Sequence, residues 1–259
     1  YTNSIVALDV RTGDIRWYDQ LVPNDAHDWD LTQVSPLFKT TIEGRERDLL
    51  ATVGKDGFLR VLDRESHERL YETPISRQLN ADVPLTKEGV RVCPGVNGGV
   101  LWHGPAYNPG TNQLYIGAID WCTTFALTDS ARFVPGQLYM GGTFRPDPEN
   151  EGRVTAVDAS TGEVRWMYRS ELPVLGAVTT TAGNLLFLGE LTGDLVAFNA
   201  ETGDELFRSR TSGPIGGGVV TYTVDGKQYV AVSSGRPSGL NWRAGPSGAP
   251  NVMIFALPG

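Results

Sequence analysis

The sequence predicts an all-β fold, a β-propeller of four-stranded blades, and three observations predict it. One hairpin recurs: VTAVDASTGEVRW at 154–166, VALDVRTGDIRW at 6–17 and VAFNAETGDELF at 196–207, with a degraded copy, VLDRESHERLY, at 61–71. Each alternates apolar and polar residues on both sides of a polar turn, the mark of a β-hairpin. Repetition of one hairpin without helical periodicity marks a radial repeat architecture. The 31 glycines and 16 prolines among 259 residues suit the many turns such a fold needs.

The chain can be laid out in blades, with strands A to D running outward. Residues 5–8 and 15–18 supply only C and D. The second blade takes A from 31–39, B from 47–53, C from 58–62 and a weak D near 69–72. A polar connector, 73–99, leads to a third blade with A near 101–107, B at 113–117 and C at 154–158. The stretch between that B and C is too long for a hairpin loop and reads as a functional insertion or a covering lid. The fourth blade is the most regular, with A at 177–181, B at 185–188, C at 195–199 and D at 205–208. A fifth unit has A at 219–223, B at 228–233 and, after a loop to Gly248, C at 252–257, with no D. About four blades of strands are present, expected to form one partial propeller domain over 1–259.

Composition removes several function classes. The net charge of −8 argues against nucleic acid or anionic lipid as a main partner. No apolar run is long enough to span a bilayer as a helix. Tyr1 stands where an initiator Met would, and the chain opens inside a repeat, so a piece of a longer protein is expected.

Up-and-down connectivity sorts the loops onto two faces. The Thr-Gly turns (Thr12-Gly13, Thr161-Gly162, Thr202-Gly203) share one face. The other face collects 27–30, 55–57, 93–99, 120–152, 172–176, 190–193, 213–218 and 235–248. Long irregular loops on a rigid scaffold are where function concentrates. Cys93 and Cys122 both fall on that face and flank one blade. A disulfide is favoured, with two buried thiols as the alternative.

Four features of that face carry candidate chemistry. Lys55 lies in the turn Gly54-Lys55-Asp56-Gly57, either a solvent-facing turn lysine or a positive charge for an anionic or carbonyl-bearing ligand. His27, Asp28, Trp29 and Asp30 read either as an acid/base or metal cluster or as a plug. In the plug, carboxylates cap turn amides and Trp29 packs between blades; this is the favoured reading. Trp102, beside His103, is either a stacking surface for a flat ligand or an inter-blade core residue. Gly216–218 would let a ligand or a backbone come close. Trp17, Trp166 and Phe207 close the repeat hairpins and read as packing.

These segments together resemble the quinoprotein alcohol dehydrogenases, eight-bladed propellers that bind pyrroloquinoline quinone (PQQ). The repeat VTAVDASTGEVRW is similar to that family's tryptophan-docking repeat, VPNDAHDWDLTQ to its HDxWD-type connector, and GKDGFLRVLDR to its lysine- or arginine-bearing hairpin. CPGVNGGVLWHGPAYNPGTNQLYI, TTAGNLLFLGELTGDLVAFNAETGDELF and VVTYTVDGKQYVAVSSG resemble its later blades, in the same order.

The resemblance implies the C-terminal half of a periplasmic PQQ-dependent dehydrogenase, acting on an alcohol and passing electrons to a cytochrome c or a membrane quinone. Lys55 falls on the basic residue that contacts the quinone carbonyls. Trp102 falls on the tryptophan of an Asn-Trp pair, whose Asn is here Leu101. Gly235 and Arg236 fall near a C-terminal loop that reaches PQQ, with Arg236 where the family often has an aromatic residue. The resemblance places the catalytic Asp, and the ligands of a calcium or lanthanide ion, upstream of Tyr1, so no metal-ligating residue is assigned within 1–259 and the chain alone is expected to be inactive. The alternative is a non-catalytic PQQ-repeat scaffold, like the outer-membrane assembly lipoprotein with related repeats. Such a scaffold has no need of Lys55 or of the HDWD connector.

Overall fold

A computed structural model describes residues 1–129, 132–137, 139–236 and 247–257. The chain forms β1 (Ser4–Leu8) and β2 (Ile15–Gln20), then β3 (Leu37–Ile42), β4 (Arg45–Val53), β5 (Phe58–Asp63) and β6 (Arg69–Pro74). Next come β7 (Val90–Val92), β8 (Ala106–Asn108), β9 (Gln113–Leu127), β10 (Gly142–Asp158) and β11 (Val164–Ser170). The last are β12 (Thr179–Thr180), β13 (Leu185–Gly189), β14 (Asp194–Asn199), β15 (Glu205–Arg210), β16 (Val219–Val224), β17 (Lys227–Ser234) and β18 (Asn251–Ala256). All pairings are antiparallel between chain neighbours, apart from β7, which joins β9. The sheets are β1-β2, β3 to β6, β8 to β11 with β7 added, β12 to β15, and β16 to β18. The architecture is a β-propeller, with no helix among the described residues.

Alternation along each strand gives every sheet two faces, and successive sheets bury theirs against each other. Leu49, Ala51, Val53, Leu59 and Val61 meet Leu114, Ile116, Ala118 and Val157. Tyr115, Val154 and Ala156 meet Leu186, Leu188, Val196 and Phe198. Phe187, Leu195 and Ala197 meet Val219 and Val232.

The recurring turn has one chemistry. Asp9 accepts the amides of Arg11 and Thr12, Asp158 those of Ser160 and Thr161, and Asn199 those of Glu201 and Thr202. Gly13, Gly162 and Gly203 each adopt φ near +78° just after the Thr. The degraded copy keeps the motif: Asp63 accepts from Glu65 and Ser66, and His67 takes the left-handed position at φ 64°. Each of the last three turns then receives an aromatic residue from the preceding blade. Trp17 stacks on His67 at 4.6 Å, the Tyr71 hydroxyl donates to Ala159 O at 2.9 Å, and Trp166 Nε1 donates to Ala200 O at 3.0 Å. A Cβ on Gly203 would stand 2.7 Å from the Trp166 ring, so the turn glycine also makes room for the aromatic.

Two expectations need correction. The stretch between B and C of the third blade, expected as an insertion outside the strands, is itself strand. β9 and β10 run on past the blade as one ribbon, paired from Gln113↔Asp158 out to Leu127↔Gly142, with an irregularity between Pro146 and Asn150. Gly117 and Gly152 look like strand breakers but are points of close approach. A Cβ on Gly117 would lie 2.6 Å from Val174, and one on Gly152 would lie 2.3 Å from Leu172 O. The inner strands are also shorter than expected. Residues 31–36 and 100–105 bond to each other: Thr32 Oγ1 donates to Leu101 O at 3.1 Å and Gln33 Nε2 to Val100 O at 2.5 Å. Pro36 and Pro105 carry no amide for a ladder.

Two outcomes follow from this packing. Trp166→Ala removes the docked indole and its hydrogen bond, and should cost about 3 kcal/mol in urea unfolding. His103 is buried, with Nε2 2.8 Å from Gly117 O, and desolvation lowers its pKa from 6.5 to about 4. Between those values the unfolded chain takes a proton that the folded chain refuses, so stability is lost as pH falls from 6.5 toward 4. Unfolding free energy should drop by about 2 kcal/mol from pH 7 to pH 5 on this account, and His103→Gln should flatten the slope by that amount.

Candidate functional site

The turn at 54–57 projects from the end of the β4-β5 hairpin opposite the Thr-Gly turns. Gly57 closes it at φ 78°, its amide donating to Gly54 O at 3.0 Å. Asp56 is buried and bonds Arg60 at 2.5 Å. Burial raises its pKa, although Arg60 opposes the rise. Lys55 is therefore not a solvent-facing turn residue: its side chain is only 6% exposed. Its ammonium meets Asp28 Oδ2 at 2.8 Å and Asp30 Oδ2 at 3.1 Å.

Both carboxylates come from the connector after β2. There Asp25 does the capping, accepting the amides of His27 at 2.9 Å and Trp29 at 2.8 Å. Trp29 is buried with Val92, Val96 and Phe125, and the His27 ring stacks on it at 4.4 Å. Asp28 takes φ 64°, and the Lys55 amide donates to Asp30 O at 3.2 Å. With the backbone so fixed, Asp28 and Asp30 stand on either side of the ammonium. Their side chains are 44% and 55% exposed. The plug reading holds for the packing of Trp29, but the capping carboxylate is Asp25, outside the expected cluster. Asp28 and Asp30 instead form a half-exposed anionic pair on a buried cation, which sequence reasoning missed. The available signal was two carboxylates flanking a core tryptophan that itself holds the connector in place.

The segment leading to Trp102 is clamped onto the same turn. Gly99, at φ 68°, lies so close that a Cβ would come within 2.3 Å of Lys55 O, and the Val100 amide donates to Gly54 O at 3.0 Å. On the other side Gly99 and Ile119 exchange backbone bonds of 3.0 and 2.8 Å. Cys93 and Cys122 form a disulfide, with Cα atoms 4.4 Å apart, which ties the connector to β9. Trp102 follows and is 42% exposed. With Val34, Gly217 and Gly218 it lines a cavity of about 320 Å³. The glycines permit close approach, since a Cβ on Gly176 would lie 2.2 Å from Gly217 O.

Gly235 and Arg236 lie at the same end of the fifth sheet. Gly235 has φ 140°; its amide donates to Pro214 O at 3.0 Å and its carbonyl accepts from Gly248 at 2.8 Å. Arg236 is exposed. Residues 237–246 of that loop lie outside the described residues. The structure thus brings Lys55 and the Trp102 segment together. No hydrogen bond or ion pair among the described residues joins Gly235 or Arg236 to either. Nor is any group of three or more His, Cys, Asp or Glu among the described residues placed to hold a metal ion.

Comparison with known proteins gives this geometry a context. Residues 1–79 match a family model described as the glucose/ethanol/alcohol dehydrogenase β-propeller domain. Residues 136–246 match one described as outer membrane protein assembly factor BamB. The chain is 31% identical over 91% of its length to quinoprotein alcohol dehydrogenase PedH of Pseudomonas putida, covering 43% of that protein. Among solved structures, the quinohemoprotein alcohol dehydrogenase from Comamonas testosteroni superposes with a TM-score of 0.90 at 29% identity, over 99% of this chain and 42% of that one. A europium-containing methanol dehydrogenase superposes at 0.82 with 27% identity, over 91% of this chain and 45% of that one. The chain therefore spans less than half the length of the relatives it matches. Along nearly all of its length the chain is similar in sequence and in fold to the quinoprotein alcohol dehydrogenases.

Proposed function

We propose that this chain supplies the basic and proton-accepting side of the active site of a PQQ-dependent alcohol dehydrogenase. The observation that carries the reading is the Lys55 ammonium, buried and held between Asp28 and Asp30 at the loop-rich mouth. An ammonium fixed in this way fits the edge of a planar quinone, and the exposed Trp102, on a glycine-walled cavity in the segment clamped to the Lys55 turn, fits its face. When bound, PQQ supplies an electrophilic quinone carbonyl that accepts the hydride of an alcohol.

The chain's own residues have separable tasks. Lys55 holds the quinone oxygens and stabilises negative charge there. Asp28, with the shorter contact, neutralises the buried ammonium. Asp30 has the longer contact and the more exposed carboxylate, and its backbone is pinned by the Lys55 amide. One of its oxygens is thus available to accept the hydroxyl proton of the substrate. On this reading the base is Asp30, within the chain, in place of the Asp that the resemblance puts upstream of Tyr1.

Three further assignments belong to the same reading. A calcium or lanthanide ion completes the site in the whole protein, with the europium-containing relative as support for the lanthanide. A cytochrome c or a membrane quinone takes the electrons. The compartment is the periplasm, which the Cys93–Cys122 disulfide suits. Propeller scaffolds share the repeat, but packing alone gives no reason to bury a lysine between two half-exposed carboxylates, so the enzyme reading is preferred.

The test uses the complete protein loaded with PQQ. Asp30→Asn should lower kcat for ethanol by about 100-fold or more while the quinone absorbance of the bound cofactor is retained. Lys55→Met should lower both turnover and cofactor retention. Undiminished turnover in Asp30→Asn would reject its role as the base.

A further inference from the structure

We propose that the cavity between the connector carrying Asp28 and the outer end of the β9-β10 ribbon receives the carbon chain of the substrate, and that it selects uncharged alcohols bearing an aromatic or branched apolar group. This rests on the reading of Lys55 and Asp30 as the reacting site. The cavity measures about 450 Å³, whereas a cavity of roughly 150 Å³ suffices for benzene. His27 and Asp28 form one wall, and Phe125, Tyr139, Met140 and Phe144 contribute the other.

Three features make it a substrate pocket rather than a surface dent. It shares a residue with the reacting site: Asp28 lines the cavity, and its Oδ2 lies 2.8 Å from the Lys55 ammonium. An alcohol whose hydroxyl reaches that ion cluster can therefore lay its carbon chain along Asp28 into the cavity. Its inner wall is rigid, because the His27 ring is stacked on buried Trp29 and meets the edge of Phe125 at 5.4 Å. Its rim keeps large rings half in water, with Tyr139 and Phe144 both exposed. Exposed aromatic surface beside a polar reacting group is what an apolar ligand would cover.

Charge sets the second half of the selection. Among the described residues that line the cavity, Asp25 and Asp28 are the charged ones. Desolvation favours neutral His27, and its buried Nε2 has no partner among the described residues. A substrate carboxylate would enter a partly dry space with acidic residues on its wall and no Lys or Arg among the described lining residues. Neutral alcohols pay no such penalty.

The holoenzyme tests this with ethanol, 2-phenylethanol, benzyl alcohol and 4-(hydroxymethyl)benzoate. The kcat/KM for 2-phenylethanol should exceed that for ethanol at least tenfold, and benzyl alcohol should exceed its carboxylate analogue by a similar factor. Met140→Trp, which fills the cavity, should lower the 2-phenylethanol to ethanol ratio about tenfold and weaken 2-phenylethanol binding followed by tryptophan fluorescence. A ratio and a binding constant that do not move in Met140→Trp overturn the pocket, even where Asp30→Asn has confirmed the base. Weakened binding in Met140→Trp together with full turnover in Asp30→Asn keeps the pocket and rejects the base.

Discussion

The ammonium of Lys55, taken almost wholly out of water, is the constraint on which the mouth of this structure depends. Removing such a charge from solvent costs several kcal/mol unless partners replace the lost hydration. Asp28 and Asp30 replace it, and two carboxylates on one cation leave an anionic oxygen facing outward. Breaking the pair would strand a buried charge, which is far more damaging than never having built it. The connector is accordingly fixed at several points: Asp25 caps it, Trp29 anchors it, and the Lys55 amide holds Asp30 from behind.

The repeat keeps that cluster in place. Aromatic residues at the third position of β2, β6 and β11 each dock on the C–D turn of the next blade. Three apolar interfaces between successive sheets leave little freedom for one blade to shift against another. The series is open at its far end. Phe207 occupies the docking position on β15 but is largely exposed, and Val220, Val224, Val252 and Ile254 present an uncovered apolar face on the last sheet. At the mouth, Gly99 lets the Trp102 segment lie directly on the Lys55 turn. The disulfide holds the preceding loop against β9. Rigidity made by repetition on one face is thus used by irregular loops on the other.

Much of the fold was legible because local signals and tertiary packing agree. The hairpins at 4–20, 142–170 and 194–210 combine strict alternation with a turn whose Asp or Asn, Thr and Gly each have a local bond to make. Where agreement failed, the reason is a contact distant in sequence. Gly117 stood at the end of an expected strand and Gly152 in the stretch assigned to a loop, yet both lie inside long strands, and the 172–174 segment passes over them. The inner strands were overdrawn because Thr32 and Gln33 bond across to residues 100 and 101, a choice no period reveals. The site was half legible. Lys55 stood out through its turn and a family resemblance. Asp28 and Asp30 also stood out, but capping was the favoured reading, since their partner Lys55 lies more than twenty residues away. His27 seemed a metal candidate from its neighbours, but its ring is spent on stacking against Trp29.

The account's central claim is that Lys55, with Asp28 and Asp30, is the point where cofactor and substrate meet. A crystal structure of the complete protein with PQQ tests it most directly. The expected result is density for the quinone with its oxygens about 3 Å from Lys55 Nζ, the Trp102 indole at the same cavity, and the Asp30 carboxylate open to the bound alcohol. A quinone bound elsewhere, with the ammonium still enclosed by its two carboxylates and touching neither cofactor nor substrate, would contradict the account.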